Sequence, residues 1–397
     1  MLVPCNKQPK KQAAMRLSGY GKNRLLNFCR TNVLRGDERM ILDNFDSRVL
    51  ILCGLCRYIP TGLSGRFKTK LFNREMINNL QVHRLVKLLG NGKSFKLTYE
   101  GLNVLAEMGY SFAQDNKTDT KRKGYGRKLK NAELNILLDL AGIEVTYKDP
   151  GELAGKETGY ITSLASRADG GKKALAGTRF AGILKLGDTA YIAYVPLAEN
   201  EWLIPGYERE IFLSQVSAMG KIRNVCVLLA GTTLDELYDC LMQKGGAGAY
   251  GRRHYRDALE EMGTEYALVP LNASGVIQMR VMSIPDYENR ILNAVGGTNS
   301  IVGIDMNIGR IRRELGRIKG EVKLVCMTFQ KNMLLRLLAE FDCPKCTVAA
   351  IDEKGMCGIF PEITEKPERK PHLTKEGKYI EAAAKNTKAP DANRKNP

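Results

Sequence analysis

Residues 73–101 read NREMINNLQVHRLVKLLGNGKSFKLTYEG, and the reading of this stretch decides the fold of the first third of the chain. Asn73 is placed to cap a helix, because its side-chain oxygen can accept from amides two or three residues on. Met76, Ile77, Leu80, Leu85, Val86, Leu88 and Leu89 then recur at mostly helical spacing, which predicts one long helix. Gly90-Asn91-Gly92 ends it, combining a C-terminal glycine signal with a tight turn. Phe95-Lys96-Leu97 is short and extended. Thr98 caps a further helix with Leu102, Val104, Leu105 and Met108 on its buried side, and Gly109 ends that helix.

Upstream, Asp46 opens an apolar helix through Val49–Leu55, and Pro60-Thr61-Gly62 breaks it. Arg66, Lys68 and Lys70 fall on a short second helix or the turn after it. Three helices, a glycine-bounded hairpin and a closing helix predict a winged helix-turn-helix over residues 35–110. A helix fits the major groove of DNA, and a wing reaches backbone or minor groove.

Charge agrees with that prediction. The chain has 397 residues and a formal net charge of +18. Residues 1–130 hold 26 basic and 9 acidic side chains, whereas residues 131–397 hold 35 and 34. A polycation followed by a nearly neutral region points to a polyanionic partner, most often nucleic acid. The same fold can dock on protein, but the basic bias disfavours that use. The candidate DNA-binding residues are Arg66, Lys68, Lys70, Arg74, His83, Arg84, Lys87, Lys93 and Lys96, with Lys121, Arg122 and Lys123 in the following segment. Charge alone does not separate base readers from phosphate holders.

The remaining organisation follows from composition. Residues 1–34 read as a basic flexible arm, 111–130 as a basic linker, 131–362 as an α/β domain, and 363–397 as a disordered tail rich in Lys, Glu, Pro and Asn. Within the α/β domain, Thr178–Leu184 and Tyr191–Val195 form a hairpin around Gly187-Asp188, and a helix follows near Tyr207–Met219. Strands are predicted at Asn224–Leu229, Ala267–Leu271, Val276–Met282, Ile301–Ile304 and Val322–Thr328. Helices are predicted at Leu234–Met242, Arg253–Met262, Tyr287–Val295, Ile308–Ile318 and Met333–Phe341. This alternation places the chain in the α+β or α/β class with a mixed sheet. No apolar run is long enough to span a bilayer. Lys7, Lys10, Lys11 and Arg16 break up the start, so no leader-like apolar region is read there. Ten scattered cysteines, many in apolar runs, suit reduced thiols and a cytoplasmic location.

Two stretches resemble a known family. Phe95-Lys96-Leu97-Thr98-Tyr99-Glu100-Gly101 with Leu105 is similar to a Leu-Thr-x-x-Gly-x-x-x-Leu pattern of winged-helix proteins. Thr178-Arg179-Phe180-Ala181-Gly182-Ile183-Leu184, Tyr191-Ile192-Ala193-Tyr194, Glu201-Trp202 and Glu208 resemble replication-relaxation-type accessory proteins of conjugative and mobilisable elements in Gram-positive bacteria. The resemblance covers roughly a quarter of the chain, and its motifs are mostly structural. It implies a non-catalytic, double-stranded-DNA-binding protein that assists replication, relaxation or transfer of a plasmid or other mobile element. A relaxase or replication protein would then be a partner, and a homo-oligomer is compatible with it. It also implies that the α/β domain is a degenerate nuclease-like core.

His83, His254 and His372 are too scattered for a histidine-cluster relaxase. Arg252-Arg253-His254-Tyr255-Arg256 are consecutive, so on a helix they fan around the axis. Gly246–Gly251 has the letters of a dinucleotide fingerprint but follows a helix where a strand is required. Asp305, Glu321 and Lys323 are the candidates for a metal-dependent nuclease, since carboxylates hold a divalent cation and a lysine steadies the phosphate. Cys343, Cys346 and Cys357 give one knuckle-spaced pair and a third thiol, weak for zinc. Arg179 in the hairpin and Glu208 or Glu210 on the next helix read as a structural ion pair. No catalytic residue, cofactor, metal or membrane partner is therefore assigned. A metal-dependent nuclease and a ligand-sensing transcriptional regulator are the alternatives.

Overall fold

In the computed structural model, which describes residues 44–112, 120, 123–167, 175, 177–197, 202–243, 251–296, 299–340 and 346–364, the first helix spans Asn44–Cys56 (α1). Its buried residues include Val49, Leu50, Leu52 and Cys53. A two-residue strand follows at Ile59–Pro60 (β1), then helices Leu63–Phe67 (α2) and Arg74–Val82 (α3), strands Val86–Leu89 (β2) and Ser94–Leu97 (β3), and helix Tyr99–Glu107 (α4). β3 lies between β1 and β2 and is antiparallel to both. The expected caps form. Asn73 Oδ1 accepts from Met76 N at 2.7 Å, and Thr98 Oγ1 from Gly101 N at 3.1 Å.

The long third helix predicted up to Gly90 is two elements. α3 stops at Val82, and Arg84 takes a left-handed φ of 58° that breaks the helix. Val86 then pairs with Leu97 and Leu88 with Phe95 across the hairpin. A short Leu/Val run is ambiguous by spacing alone. The alternating Phe95 and Leu97 on the partner strand decide it by supplying cross-strand contacts.

The Leu-Thr-x-x-Gly-x-x-x-Leu stretch has a steric origin. A Cβ on Gly101 would lie 2.2 Å from the Leu85 carbonyl oxygen and 3.0 Å from the Leu97 side chain. Leu105, one turn on, is fully buried. Gly101→Ala therefore forces α4 off the hairpin and should cost about 1–3 kcal/mol of stability, as overpacking against backbone does. A lowered urea midpoint with an unchanged slope checks this.

Helix Lys123–Leu140 (α5) begins inside the stretch read as a linker. Gly124 reads as a hinge in the sequence, but tertiary packing overrides that weak propensity. Tyr125 meets Tyr58 edge-on at 5.3 Å and its hydroxyl bonds Ser94. The Lys128 ammonium lies 5.2 Å from the Tyr58 ring centroid.

The elements that follow are β4 Thr158–Thr162, α6 Ser163–Ser166, β5 Gly182–Leu186, β6 Thr189–Tyr194, α7 Pro205–Ser214, β7 Asn224–Gly231, α8 Leu234–Met242, α9 Tyr255–Met262, β8 Tyr266–Pro270, α10 Ala273–Met282, α11 Tyr287–Val295, β9 Ser300–Val302, α12 Ile308–Leu315, β10 Val322–Met327, α13 Lys331–Glu340, β11 Cys346–Ile351 and α14 Glu353–Ile359. Strands β4 to β8 form a mixed sheet in sequence order. β5 is antiparallel to both neighbours, while β6, β7 and β8 run parallel. A second, parallel sheet has the order β11-β10-β9. The fold is thus mixed α+β.

Side-chain amides connect the two sheets. Gln278, fully buried on α10, donates to the carbonyls of Leu268 (2.7 Å) and Ile304 (2.9 Å). Gln330, also fully buried, donates to Ile304 O at 2.6 Å and accepts from Met327 N at 3.0 Å. One apolar cluster runs through both sheets, including Ile192, Leu229, Leu268, Leu324 and Leu334. α10 was expected to be a strand over Val276–Met282. Asn272 caps it by accepting from Ser274 N at 2.9 Å, and the helix is buried on nearly every side. A residue run that is apolar all round carries no periodicity to distinguish helix from strand.

α5 joins the N-terminal elements to the mixed sheet. Its Asp139 pairs with Arg48 of α1, and its Glu133 lies 2.7 Å from Arg66 of α2. Asn135 Nδ2 donates to Cys56 Sγ at 3.4 Å. From Phe45 onward the chain forms one compact unit. Among the described residues no helix is long and apolar enough to cross a membrane. The expected arm and nearly all of the expected tail lie outside the described residues.

Candidate nucleic-acid interface

The turn between α2 and α3 is held by its apolar residues. Phe72 takes φ 62°, is buried, and packs on Phe95 at 6.3 Å. Leu71 beside it is buried as well. With these two anchored inward, Lys68 and Lys70 are left exposed. Arg74 is exposed at the start of α3, Arg84 at the α3–β2 junction, Lys87 on β2 and Lys93 in the hairpin turn. Six of the predicted cations therefore surround α3 and the hairpin.

Three others are placed differently. Arg66 is half-buried against Glu133. Lys96 is buried on β3, on the hairpin face that Ser94 shares and that Tyr125 of α5 covers. His83 is half-buried at the end of α3. Arg66 and Lys96 leave the exposed basic set, because their partners and cover come from α5, far along the chain. Lys121 and Arg122 lie outside the described residues, and only the backbone of Lys123 is described.

The outward face of α3 is not itself basic. Glu75, Asn78, Asn79 and Val82 are exposed opposite buried Ile77 and Leu80. A ranking by charge overlooked all four.

The nuclease candidates do not meet. Lys323 lies opposite Ser300 in the β9–β10 pair, so Lys323 and Glu321 sit at one end and Asp305 beyond the other. Asp305 is buried and bonded by Arg310 at 2.8 Å and Asn307 N at 3.2 Å. The central strands β5 and β6, GILKL and TAYIAY, contain no carboxylate. Lys185 donates to Leu153 O at 3.0 Å. Among the described residues no group of three His, Cys, Asp or Glu side chains is placed to hold a metal ion. Cys343 and the Gly246–Tyr250 part of the glycine-rich loop lie outside the described residues. The Arg252–Arg256 run was expected on a helix, but only Tyr255 and Arg256 are helical: Arg253 bridges Leu203 and pairs with Glu261 at 3.2 Å, Arg256 pairs with Glu260 at 3.1 Å, and Tyr255 is buried. Trp202 stacks on His254 at 3.9 Å. Cys53 and Cys56 are buried, and burial pushes the Cys56 thiol up to about 12. Both are core residues.

Glu208 is fully buried on α7 and accepts from Tyr194 Oη at 2.7 Å and from the Arg179 amide at 2.9 Å. The backbone of Arg179 makes this bond, and its side chain is exposed. Burial raises the Glu208 carboxyl from 4.5 to about 7, with these bonds and the nearby Arg167 and Arg179 charges only partly opposing it. The folded chain thus holds this proton more tightly than the unfolded chain. The resulting stabilisation is full below the ordinary value and is lost as pH rises through about 7. Glu208→Gln should remove that pH-dependent part, on the order of 3 kcal/mol. Melting temperatures from pH 4.5 to 8 check it: the wild-type curve falls over this window relative to that of Glu208→Gln.

No family model, curated protein or solved structure matches the chain.

Proposed function

We propose that the chain binds double-stranded DNA through a winged helix-turn-helix formed by α1–α4 and the β2–β3 hairpin. In this reading α3 enters the major groove, and the hairpin is the wing. The observation that carries it is the ring of exposed cations around α3 and the wing, Lys68, Lys70, Arg74, Arg84, Lys87 and Lys93. The acidic residues of the adjoining α5, Glu133 and Asp139, face Arg66 and Arg48, which are outside this ring of cations.

The chain acts, on this reading, as a non-catalytic cytoplasmic accessory protein for replication, relaxation or transfer of a mobile element. The mixed sheet is a degenerate nuclease-like core that contacts a relaxase, a replication protein or a second copy. Its central strands bring no acidic residues to the sheet, and the Asp305, Glu321 and Lys323 set is spread over two ends, so the nuclease alternative has no assembled centre. Fluorescence anisotropy of the full chain with a labelled duplex across a salt series tests the proposal. Binding whose logarithm falls steeply with log salt supports it, since each phosphate contact contributes about 0.9 to the slope. No binding to duplex at low salt overturns it.

A further inference from the structure

The outward face of α3 carries one carboxylate, two carboxamides and a valine, and no lysine. At 100° per residue, Glu75, Asn78, Asn79 and Val82 project opposite Ile77 and Leu80, the two side chains that bury α3. Val82 is 77% exposed, and no other large exposed hydrophobic among the described residues exceeds it. Among the described residues neither Asn78 nor Asn79 has a side-chain hydrogen bond to the protein. Glu75 suits the first turn of the helix, where a carboxylate meets the positive end of the helix dipole; core packing explains none of Asn78, Asn79 and Val82, because each points away from the core. The cations lie around the centre of this face: Lys68 and Lys70 precede it, Arg74 stands at its edge one turn before Asn78, and Arg84, Lys87 and Lys93 follow it.

Resting on the DNA-binding reading, we infer that Asn78, Asn79 and Val82 are the base-reading residues and that they select A·T pairs in the major groove, while the surrounding cations hold phosphates. The chemistry fits this division. A carboxamide offers one donor and one acceptor, matching N7 and N6 of adenine, and valine methyl groups fit the thymine C5-methyl. Asn78 and Val82 are four residues apart, about 6 Å along the helix axis. That spans about two base pairs. No lysine or arginine occupies the centre of the face, so the commonest reader of guanine is absent there. Glu75 adds selection against guanine, whose N7 and O6 are both acceptors, and can accept from cytosine N4. The charge arrangement favours DNA over a protein partner as occupant, because a polyanion must bridge the cations on both sides of this patch.

The test uses the full chain and duplexes that differ only in a central six-base-pair segment, selected from a randomised pool. Wild type should prefer its A·T-containing site over a G·C-only core by about fivefold to a hundredfold, the range for one or two base-specific contacts. Asn78→Ala with Asn79→Ala should bring that ratio close to one and leave the salt slope unchanged. Replacing thymine by deoxyuridine, which lacks the methyl group, should weaken wild type severalfold and leave Val82→Ala unaffected. All three positions are surface positions, so melting temperatures should match wild type, and Asn78→Ser with Asn79→Ser repeats the test with a more polar side chain. A double variant that keeps the wild-type ratio, or a wild type that binds every core equally, overturns the inference while DNA binding itself stands. A wild type that binds no duplex overturns the underlying reading as well, and the face is then a protein-docking surface.

Discussion

With Lys70, Lys87 and Lys93 all replaced by alanine, duplex affinity at 0.15 M salt is expected to fall about a hundredfold, and the slope of log K against log salt to flatten by roughly 2.7. The three side chains are exposed and lie in the α2–α3 turn, on β2 and in the hairpin turn. The backbone bonds of the hairpin, such as Thr61 N to Lys93 O at 3.0 Å, survive the substitutions. Stability should therefore change little, as for surface substitutions generally. The paired control is Arg66→Ala with Lys130→Ala. These cations face Glu133 at 2.7 and 3.6 Å, so their loss should leave the salt slope nearly unchanged. A control that flattens the slope as much as the triple variant would mean that net charge, and not the positions around α3, governs binding.

The expected effect differs between these sets because local pattern and long-range pairing are separate kinds of information. Lys87 and Lys96 read alike in the sequence, as basic residues beside a hairpin. They face each other across β2 and β3, yet Lys87 is exposed and Lys96 buried. What separates them is the start of α5, laid over Ser94 by the Tyr125 hydroxyl. Arg66 is likewise distinguished from Lys68 only by Glu133, which lies far along the chain. Charge was legible, and its counter-charges were not. The readers proposed on α3 were illegible for another reason: asparagine and valine carry no net charge, so an electrostatic ranking assigns them nothing.

For the fold, the elements with a clear apolar period of their own were the legible ones. Helices Leu234–Met242 and Tyr287–Val295 end where their apolar periodicity ends. Thr233 caps the first by accepting from Glu236 N at 3.1 Å. Strands β4 and β11 were missed, and β2 and α10 were misassigned. β2 depends on Phe95 and Leu97 to become a strand, and α10 is surrounded by α5 and β8, with Gly275 so close to Pro270 that a Cβ would lie 1.8 Å from its carbonyl oxygen. In each case neighbours distant in sequence decide the conformation. The nuclease candidates failed similarly. Asp305 and Glu321 are close along the chain, but a parallel crossover through α12 sends them to opposite strand ends.

Asp139→Ala should destabilise the chain by about 3 kcal/mol, the lower end of the range for removing one partner of a buried ion pair. Asp139 is 1% exposed on α5 and faces Arg48 of α1, so the substitution leaves a guanidinium at the seam without this carboxylate. The double substitution Arg48→Met with Asp139→Leu removes both charges and fills similar volume. It should recover most of the loss, since burying two charges costs nearly as much as their attraction returns. Urea denaturation of the two variants and wild type checks both values. The shape of the transition carries a second expectation. α1, α2 and α5 share one compact unit, so wild type and both variants should unfold in a single step seen alike by Trp202 fluorescence and far-ultraviolet dichroism. If Asp139→Ala instead separates the two signals, the N-terminal elements melt on their own once the seam is broken. The remaining links from α5, such as Glu133 to Arg66 and Asn135 to Cys56, would then be too weak to hold the N-terminal elements on the mixed sheet without this ion pair.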